Sequence, residues 1–403
     1  MTDDQNIEKV KVPAPRNPEK KRAGSHYEFF ATTAKGMEKL LVEELQGLGV
    51  EKPQESRAGV VFSGSMELAY RACLWSRIAN RILMPLKTFP AAHPDQLYGG
   101  VRAIHWTDHL TVDHTLAVDF STSHSKIQHS HYGALKVKDA IVDQFRTLKG
   151  SRPSIDPVQP DLRINVYLLN DVATVSIDLS GESLHRRGYR QESGAAGLKE
   201  NLAAALLMTA GWHQGQHEAF LDPMCGSGTL PIEAALMAYR IAPGLQRKSF
   251  GFQKGLGYVP LLWKRLLQEA QDQVIREPQR KLKIVGYDQD FRAVRLALSN
   301  LEKAGLHGKV HIEKREWRQC DAIADSGILV VNPPYGERLG EEEELIPLYK
   351  ELGDTFKKKF KGWDAYVFTG NPILAKSVGL KASRRHVLFN GPIECRMLQY
   401  ALY

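Results

Sequence analysis

The stretch Phe220-Leu221-Asp222-Pro223-Met224-Cys225-Gly226-Ser227-Gly228-Thr229 decides the fold of the C-terminal half of this chain. Its pattern predicts a buried strand, a glycine loop and the start of a helix. Gly226 and Gly228 carry no side chains where the backbone must approach a ligand, and a helix start offers unpaired N–H groups. Because Pro231 occupies the position of the third glycine in a dinucleotide fingerprint, we expect a ligand without a pyrophosphate.

Strands and helices alternate around this loop from residue 183 to the C-terminus. The predicted strands are Ala219–Asp222, Ile284–Asp288, Val310–Glu313, Gly327–Val331 and Asp364–Thr369, with short strands around His386–Phe389 and Met397–Leu402. The predicted helices are Leu198–Gly211, Leu230–Tyr239, Phe291–Gly305 and Leu345–Phe360. This alternation predicts an α/β, Rossmann-like domain over 183–403, with a mostly parallel sheet covered on both faces.

A second motif, Asn332-Pro333-Pro334-Tyr335, follows the strand Gly327–Val331. The Asn332 side-chain carbonyl and the Pro333 backbone carbonyl can each accept one N–H of an exocyclic base amine, which turns the nitrogen lone pair towards a methyl group. Tyr335 can stack on a base extruded from its helix. The sequence therefore predicts an S-adenosyl-L-methionine-dependent methyltransferase with Asn332, Pro333, Pro334 and Tyr335 as its catalytic residues, and no titrating base.

The cofactor should lie against the glycine loop and the strand ends beside it. Asp222 is expected to engage the ammonium group of the methionine moiety, and Asp288 the ribose hydroxyls. The unusually long spacing between them predicts an insertion, roughly 240–283, rich in Lys, Arg and aromatic residues. Glu316, preferred to Asp321, is expected to contact adenine. The predicted cofactor-binding set is Asp222, Pro223, Cys225, Gly226, Ser227, Gly228, Thr229, Asp288, Gln289 and Glu316.

The N-terminal half predicts two smaller α+β regions. A strand–helix–strand–helix order over 26–75 indicates a ferredoxin-like region. Its predicted elements are Tyr27–Thr32, Lys35–Leu48, Gly59–Phe62 and Met66–Leu74. In 76–182 the predicted elements are a strand at Leu116–Ser121, a helix at Ala134–Leu148, and a hairpin of Arg163–Leu169 with Val172–Asp178 that turns at Asn170-Asp171. Residues 1–25, with three prolines and a Lys-Lys-Arg run, predict a disordered basic tail.

The amino-acid composition excludes some classes of protein and favours others. The chain has 403 residues, 43% hydrophobic content and a formal net charge of +8, which is typical of a globular protein and permits a polyanionic partner. No long apolar run predicts a membrane span, and no secretory signal is apparent. The four cysteines lie far apart with no C-x-x-C pair, and none of them falls among the histidines between His93 and His131, so we expect no metal site. Free thiols favour a cytoplasmic protein, and we expect a monomer.

Several motifs resemble one family of RNA-modifying enzymes. Ser130–Ala140 (SHYGALKVKDA) resembles the helix of a THUMP domain, an RNA-binding module. Leu184–Arg190 (LHRRGYR) and Leu198–Ala203 (LKENLA) resemble the linker and opening helix of THUMP-bearing guanine-N2 methyltransferases. Asn332–Leu339 (NPPYGERL) and Asn390–Cys395 (NGPIEC) resemble the bacterial enzymes that modify large-subunit rRNA.

The resemblance covers about residues 27–403 and implies a class I methyltransferase fold with THUMP RNA binding in 76–182. It implies S-adenosyl-L-methionine as cofactor and guanine N2 in 23S rRNA, or in a large-subunit precursor, as the target. We expect phosphate contacts from the basic residues of the THUMP-like helix and linker, which are Lys136, Lys138, Arg186, Arg187 and Arg190. Glu316 stands where the family would have aspartate. Some relatives carry a second methyltransferase domain, and no dual activity is expected from this chain.

Other functions share parts of this pattern. Adenine-N6 methylation and tRNA guanine-N2 methylation use the same amine acceptors. Glutamine methylation of a protein also uses an Asn-Pro-Pro-Tyr motif, but it does not need an RNA-binding front end. A non-catalytic RNA-binding assembly protein would not need the glycine loop or Asn332. Measuring cofactor binding separates this last alternative from the others.

Overall fold

The structure of the protein, a computed structural model, describes residues 26–190, 197–278, 281–336 and 341–403. The predicted basic tail, 1–25, lies outside the described residues, as do Glu337–Leu339 of the NPPYGERL motif. Two units make up the fold. One contains 85–177 and 251–258, and the other contains 26–84, 178–250 and 259–403. No helix in the described ranges has both the length and the apolar content needed to cross a membrane.

The segment 26–90, which belongs to the larger unit up to residue 84, has the ferredoxin-like order of strands and helices. Its elements are β1 (Tyr27–Thr32), α1 (Glu38–Gly47), β2 (Gln54–Ser56), β3 (Gly59–Gly64), α2 (Met66–Trp75) and β4 (Arg81–Pro90). Its strands lie in the antiparallel order β2-β3-β1-β4. The four predicted elements are confirmed, and β2 and β4 complete the motif. β2 escaped prediction because its three residues are all exposed and show no apolar alternation.

The smaller unit is a second α+β fold. Its helices and strands are α3 (Pro94–Arg102), β5 (Thr115–Ser123), α4 (Ser130–Lys149), β6 (Ser154–Ile155), β7 (Leu162–Leu169) and β8 (Val172–Asp178). β5 is parallel to β7, and β7 and β8 form the predicted hairpin. Asn170 and Asp171 both have positive φ, +50° and +60°, as a tight hairpin turn requires. Lys254, from the predicted insertion, forms an ion pair with Asp161 at 2.6 Å within this unit.

The rest of the larger unit is the predicted Rossmann-like domain. Its elements are α5 (Glu200–Thr209), β9 (Ala219–Asp222), α6 (Thr229–Ala238), α7 (Pro260–Asp272), β10 (Lys283–Asp288), α8 (Phe291–Lys303), β11 (His311–Lys314), β12 (Gly327–Val331), α9 (Glu341–Lys359), β13 (Trp363–Thr369), α10 (Pro372–Ser377), β14 (Arg384–Asn390) and β15 (Ile393–Ala401). The seven strands lie in the order β11-β10-β9-β12-β13-β15-β14. The first five are mutually parallel, and β15 is antiparallel to both its neighbours.

The central strands of this sheet are covered on both faces. Every residue of β9 and β12 is buried, so side chains that point to either face are excluded from water.

The predicted insertion contributes α7, which buries Trp263, Leu266 and Ala270. Arg71 of the ferredoxin-like fold pairs with Glu269 of α7 at 2.9 Å. The α7 part of the insertion therefore packs against the rest of the larger unit through an apolar face and an ion pair.

Candidate active site

The carboxyl ends of β9, β10 and β12 meet at one edge of the sheet. β9 lies between the other two strands and is parallel to both, with Gly286 opposite Asp222. Strand order reverses at β9, which is where open α/β sheets bind ligands. Asp222 ends β9, Asp288 ends β10 and Asn332 follows β12. The structure thus brings the three predicted groups to one edge.

Backbone conformation explains both glycines of the loop. Gly226 and Gly228 have φ values of +53° and +79°, in the left-handed region that other residues rarely occupy. A side chain at Gly228 would also place its Cβ 3.0 Å from Cβ of Ala297 on α8. The Gly226 N–H donates to Asp288 Oδ2 at 2.9 Å, so β10 helps to hold the loop.

Asp222 and Asp288 form an acidic side of the site. Asp222 is buried, and its Oδ1 accepts the Met224 N–H at 3.1 Å. Burial raises the pKa of Asp222 well above its ordinary value, the Met224 N–H opposes this, and Asp288 raises it further. No Lys, Arg or His side chain in the described ranges forms an ion pair with either carboxylate. A ligand that carries positive charge, as S-adenosyl-L-methionine does, complements this acidic pair.

The Asn-Pro-Pro-Tyr motif presents an unused acceptor. Asn332 Oδ1 is buried and has no hydrogen-bond partner among the described residues. Pro333 is buried, and the Pro334 carbonyl accepts from the Tyr349 hydroxyl at 3.2 Å. A buried acceptor without a partner costs about 1–3 kcal/mol. The Asn332 oxygen therefore fits a site that receives its donor from a ligand.

A cavity of about 480 Å³ opens beside Tyr335. This size lies within the range for small-molecule sites, roughly 300–1,000 Å³. The lining residues are Tyr335, Gly336, Glu342, Gly370, Asn371, Pro372, Ile373 and Ile393. The Tyr335 hydroxyl accepts from Asn390 Nδ2 at 2.8 Å, and a Cβ at Gly370 would lie 3.2 Å from Tyr335 Cε2. The ring of Tyr335 is therefore held as one wall of the cavity.

The other predicted loop residues lie in the same place. Pro223, Cys225 and Thr229 are buried, and the Ser227 hydroxyl lies 3.2 Å from that of Thr229. Burial raises the pKa of the Cys225 thiol, and Asp222 and Asp288 raise it further, so the thiol stays protonated. A protonated thiol is a poor nucleophile, and the predicted contact of Cys225 with the cofactor stays a prediction.

Gln289 and Glu316 are the two predicted cofactor contacts that lie outside the glycine loop and the acidic pair. Gln289 is exposed between β10 and α8. Glu316 is partly exposed and forms an ion pair with Arg318. The predicted contact of Glu316 with adenine stays a prediction. No group of three or more metal-ligating side chains occurs within the described ranges.

Three of the predicted phosphate contacts are accessible. Lys136 is partly exposed, and Lys138 is partly exposed beside Asp139, with which it pairs at 2.8 Å. Arg186 keeps 66% of its side chain exposed and pairs with Glu182. Exposed pairs of this kind are weak, so these three cations remain available to phosphate.

The prediction that Arg187 contacts RNA phosphate is wrong. Its side chain is 1% exposed, and Nε lies 3.5 Å from Oε1 of the buried Glu233 on α6. It also donates to the carbonyls of Leu184 and Arg77, at 2.7 and 2.5 Å. Adjacent arginines in a basic linker look alike in the sequence, but only Arg186 points to solvent.

The same prediction is wrong for Arg190, which faces the glycine loop. Arg190 Nη2 donates to Thr229 Oγ1 at 2.6 Å and to the Leu198 carbonyl at 2.7 Å, and Nε lies 3.5 Å from Oε1 of buried Glu200. Only 16% of its side chain is exposed. Its guanidinium therefore supports the loop and the start of α6.

Sequence reasoning missed Asn300 of α8. This side chain is fully buried, and its Nδ2 donates to the Ser227 carbonyl at 3.0 Å, which fixes the glycine loop from the side. A polar residue on the apolar face of an amphipathic helix was the available signal. The signal points to a buried hydrogen bond without naming its partner.

Comparison with known proteins agrees with this geometry. Residues 187–399 match the family described as RMKL-like, methyltransferase domain. The chain belongs to the RMKL-like methyltransferase family. In front of the RMKL-like domain, 28–83 match an RlmL ferredoxin-like domain and 91–178 match a THUMP domain. The predicted fold class, a Rossmann-like methyltransferase domain preceded by ferredoxin-like and THUMP domains, is confirmed.

One curated relative is the ribosomal RNA large subunit methyltransferase K/L of Methylococcus capsulatus. It is 52% identical over 375 residues, which cover 93% of this chain and 51% of the relative. The chain thus spans about half the length of the curated relatives that it matches.

Two of the solved structures that this chain resembles match nearly its whole length. The crystal structure of SMU.472 complexed with SAH has a TM-score of 0.85 and 32% identity, and the match covers 94% of this chain and 98% of that one. A predicted N6-adenine-specific DNA methylase from Listeria monocytogenes has a TM-score of 0.83 and 31% identity, over 94% of this chain and 97% of that one.

Asp222→Asn should stabilise the cofactor-free RMKL-like protein. The amide keeps the acceptor for the Met224 N–H and removes a buried charge, so the free energy of unfolding at pH 8 should rise by about 1 kcal/mol. In the wild type, the pKa of Asp222 is higher in the folded state than in the unfolded state. Asp222 therefore makes its full contribution to the free energy of unfolding below the unfolded pKa of about 3.9, and this contribution is lost as the pH rises through the folded pKa. Urea unfolding at pH 8 and at pH 4 measures the gain, which should shrink at pH 4. An equal gain at both pH values would contradict the assigned cause.

Arg187→Met should lower the free energy of unfolding by about 3–5 kcal/mol, because it leaves Glu233 buried without its cation. Arg186→Met is the matched control, since its exposed pair with Glu182 contributes about 0–1 kcal/mol. Urea unfolding of the two variants makes the comparison. In RNA-binding assays only Arg186→Met should reduce the salt slope, by roughly one unit. Equal stability of the two variants would show that the Arg187–Glu233 pair does not hold the fold.

Proposed function

We propose that this protein transfers a methyl group from S-adenosyl-L-methionine to the exocyclic N2 amine of a guanine in 23S rRNA. The observation that carries the proposal is the buried Oδ1 of Asn332, which has no partner among the described residues and directly follows β12, the strand beside β9. An acceptor held in this way is suited to a planar amine, which brings its own N–H donors. Asp222 to Thr229 and Asp288 are proposed to hold the cofactor, with its positive charge beside the acidic pair.

When bound, the cofactor supplies an electrophilic methyl group on a sulfonium. Asn332 Oδ1 accepts one N–H of the amine and the Pro333 carbonyl accepts the other, so the nitrogen lone pair points at the methyl carbon. With the amine held in this way, the C–N bond would form as the S–C bond breaks, the positive charge would pass from sulfur to nitrogen, and the nitrogen would then release one proton to water. The sulfonium charge is neutralised in this exchange, so no strong base is required. Asn332 acts by orientation in a site already built for the amine.

Tyr335 is proposed to stack on the extruded guanine. Asn390 and the close approach at Gly370 hold its ring against the cavity. Stacking against a fixed ring offsets part of the cost of unstacking a base, which is a few kcal/mol. Tyr335 therefore contributes to capture of the base, and Asn332 to the chemical step.

Features of the N-terminal half of the chain support RNA as the partner. The match to a THUMP domain, the partly exposed Lys136 and Lys138 and the exposed Arg186 support RNA binding by residues 76–190. The name of the Methylococcus relative supports large-subunit rRNA, either free or in a precursor particle. We propose that 26–75 form a ferredoxin-like region, 76–182 an RNA-binding THUMP domain and 183–403 the methyltransferase domain. We also propose that the protein is a cytoplasmic monomer.

Adenine-N6 methylation is the second candidate. The observation that favours it is the similarity to the Listeria protein, whose title names an adenine-specific activity. Both reactions use the acceptors of Asn332 and Pro333. Mass mapping of methylated nucleotides in rRNA, from cells with and without the protein, separates guanine N2 from adenine N6.

Asn332→Ala should reduce the rate of methyl transfer by about two to three orders of magnitude, because it removes one of the two acceptors that orient the amine. Single-turnover methylation of unmodified 23S rRNA at saturating cofactor measures this rate. Cofactor affinity, titrated separately, should stay close to wild type. Tyr335→Ala is the comparison variant, and it should weaken base capture by roughly 1–3 kcal/mol while Tyr335→Phe remains mild.

Two results would contradict this mechanism. A near wild-type transfer rate in Asn332→Ala would mean that its carbonyl does not orient the amine. Loss of cofactor affinity in the same variant would mean that Asn332 belongs to the cofactor subsite.

A further inference from the structure

The exocyclic amines of RNA differ in the ring atom beside them. Adenine N6 adjoins N1 and cytosine N4 adjoins N3, and both of these ring nitrogens are hydrogen-bond acceptors. Guanine N2 alone adjoins a ring N–H, at N1, along the Watson–Crick edge. Because Asn332 and Pro333 accept only from the amine, they do not distinguish these bases. Selectivity requires a further group that faces the neighbouring ring atom.

Glu342 of α9 brings a carboxylate into the cavity beside Tyr335. Most of the other lining residues offer carbon surface or glycine backbone there, and the exceptions with polar side chains are Tyr335 and Asn371. An ionised carboxylate only accepts hydrogen bonds. It therefore attracts a ring N–H and repels a ring nitrogen that presents a lone pair.

Asn371 holds this carboxylate in place. Its Nδ2 donates to Glu342 Oε2 at 2.7 Å. Its Oδ1 accepts the N–H groups of Ile373 and Leu374, at 2.8 and 3.2 Å, and so caps α10. Since both ends of the amide are engaged, its donor is fixed towards Glu342.

A chain of hydrogen bonds connects Asn371 to the Asn-Pro-Pro-Tyr motif. The Asn371 N–H donates to Thr369 Oγ1 at 3.2 Å, and Thr369 is buried at the end of β13. The Tyr349 hydroxyl lies 3.0 Å from the same Oγ1 and 3.2 Å from the Pro334 carbonyl, which accepts from it. The position of Glu342 is thus coupled to the backbone that carries the amine acceptors.

We propose that Glu342 selects guanine by accepting its N1–H while Asn332 and Pro333 hold the N2 amine. Asn371 is the positioning residue for this carboxylate. The proposal rests on the proposed function and identifies how that site rejects adenine and cytosine, whose neighbouring ring nitrogens would face Glu342 with a lone pair. A site built to receive a donor discriminates strongly against a base that lacks one.

The test compares guanine with 2,6-diaminopurine at the methylated position, which is first mapped with the wild-type protein. 2,6-Diaminopurine keeps the 2-amine but has an acceptor at N1. It is introduced into a 23S rRNA transcript by ligation, and kcat/KM is measured for both transcripts. Wild type should prefer guanine by roughly 10- to 100-fold. Glu342→Gln should lose guanine activity and gain on 2,6-diaminopurine, because the Gln amide can donate to N1, so the preference should fall to about fivefold or less.

Glu343→Gln is the matched control, because Glu343 is the exposed neighbour on α9 outside the cavity lining, and its preference should equal that of wild type. Asn371→Ala should reduce the preference in the same direction as Glu342→Gln. If Glu342→Gln lowers both activities in equal proportion, or leaves the preference unchanged, the proposal is overturned while the proposed function stands. If wild type methylates no guanine N2, the proposed function fails first, and this selection with it.

Discussion

Parallel pairing of β9 with β10 on one side and β12 on the other is the constraint on which the site depends. The pairing brings Asp222, Asp288 and Asn332 to one edge although they are far apart in the chain. A register shift of one residue would turn every side chain of a strand to the opposite face. Because all residues of β9 and β12 are buried, such a shift would expose or crowd the core on both faces. Hydrophobic burial therefore fixes the geometry of the polar groups.

Helix α6, which follows the glycine loop, is held in place by side chains from other parts of the larger unit. Arg190 holds its first residue through Thr229, and Tyr189 and Arg187 contact Glu233 in its middle. Arg77, from the ferredoxin-like fold, donates to the carbonyl of Leu236 in its last turn and to that of Ile241, which follows the helix. Burial lowers the pKa of Arg77 to about 10, the nearby Glu233 opposes this, and the group stays charged at neutral pH. Buried ion pairs of this kind contribute little net stability, but they are costly to break, so they specify one arrangement of the helix.

The two sides of the site differ in charge because they handle different chemical groups. The cofactor side has two carboxylates, which suit a cationic ligand, and the amine side has neutral carbonyl acceptors around Asn332. Both sides are held by backbone groups or buried side chains, so little reorganisation accompanies ligand binding.

The sequence by itself determined the alternation of strands and helices around the glycine loop, the loop itself and the Asn-Pro-Pro-Tyr motif, but it did not predict β2, β4, α3 or α10. β1, β8, β9 and β12 have the predicted bounds because apolar alternation, buried runs and turn residues act over a few neighbouring positions. Only the tertiary structure decided that Arg187 is buried while Arg186 is exposed, that Arg190 supports Thr229, and that Glu342 shares a cavity with Tyr335. These outcomes depend on partners that are distant in the chain, such as Glu233 and Asn371. The pattern of neighbouring residues does not predict which distant element will cover a side chain, because that contact forms only when the strands and helices of the whole sheet have packed together.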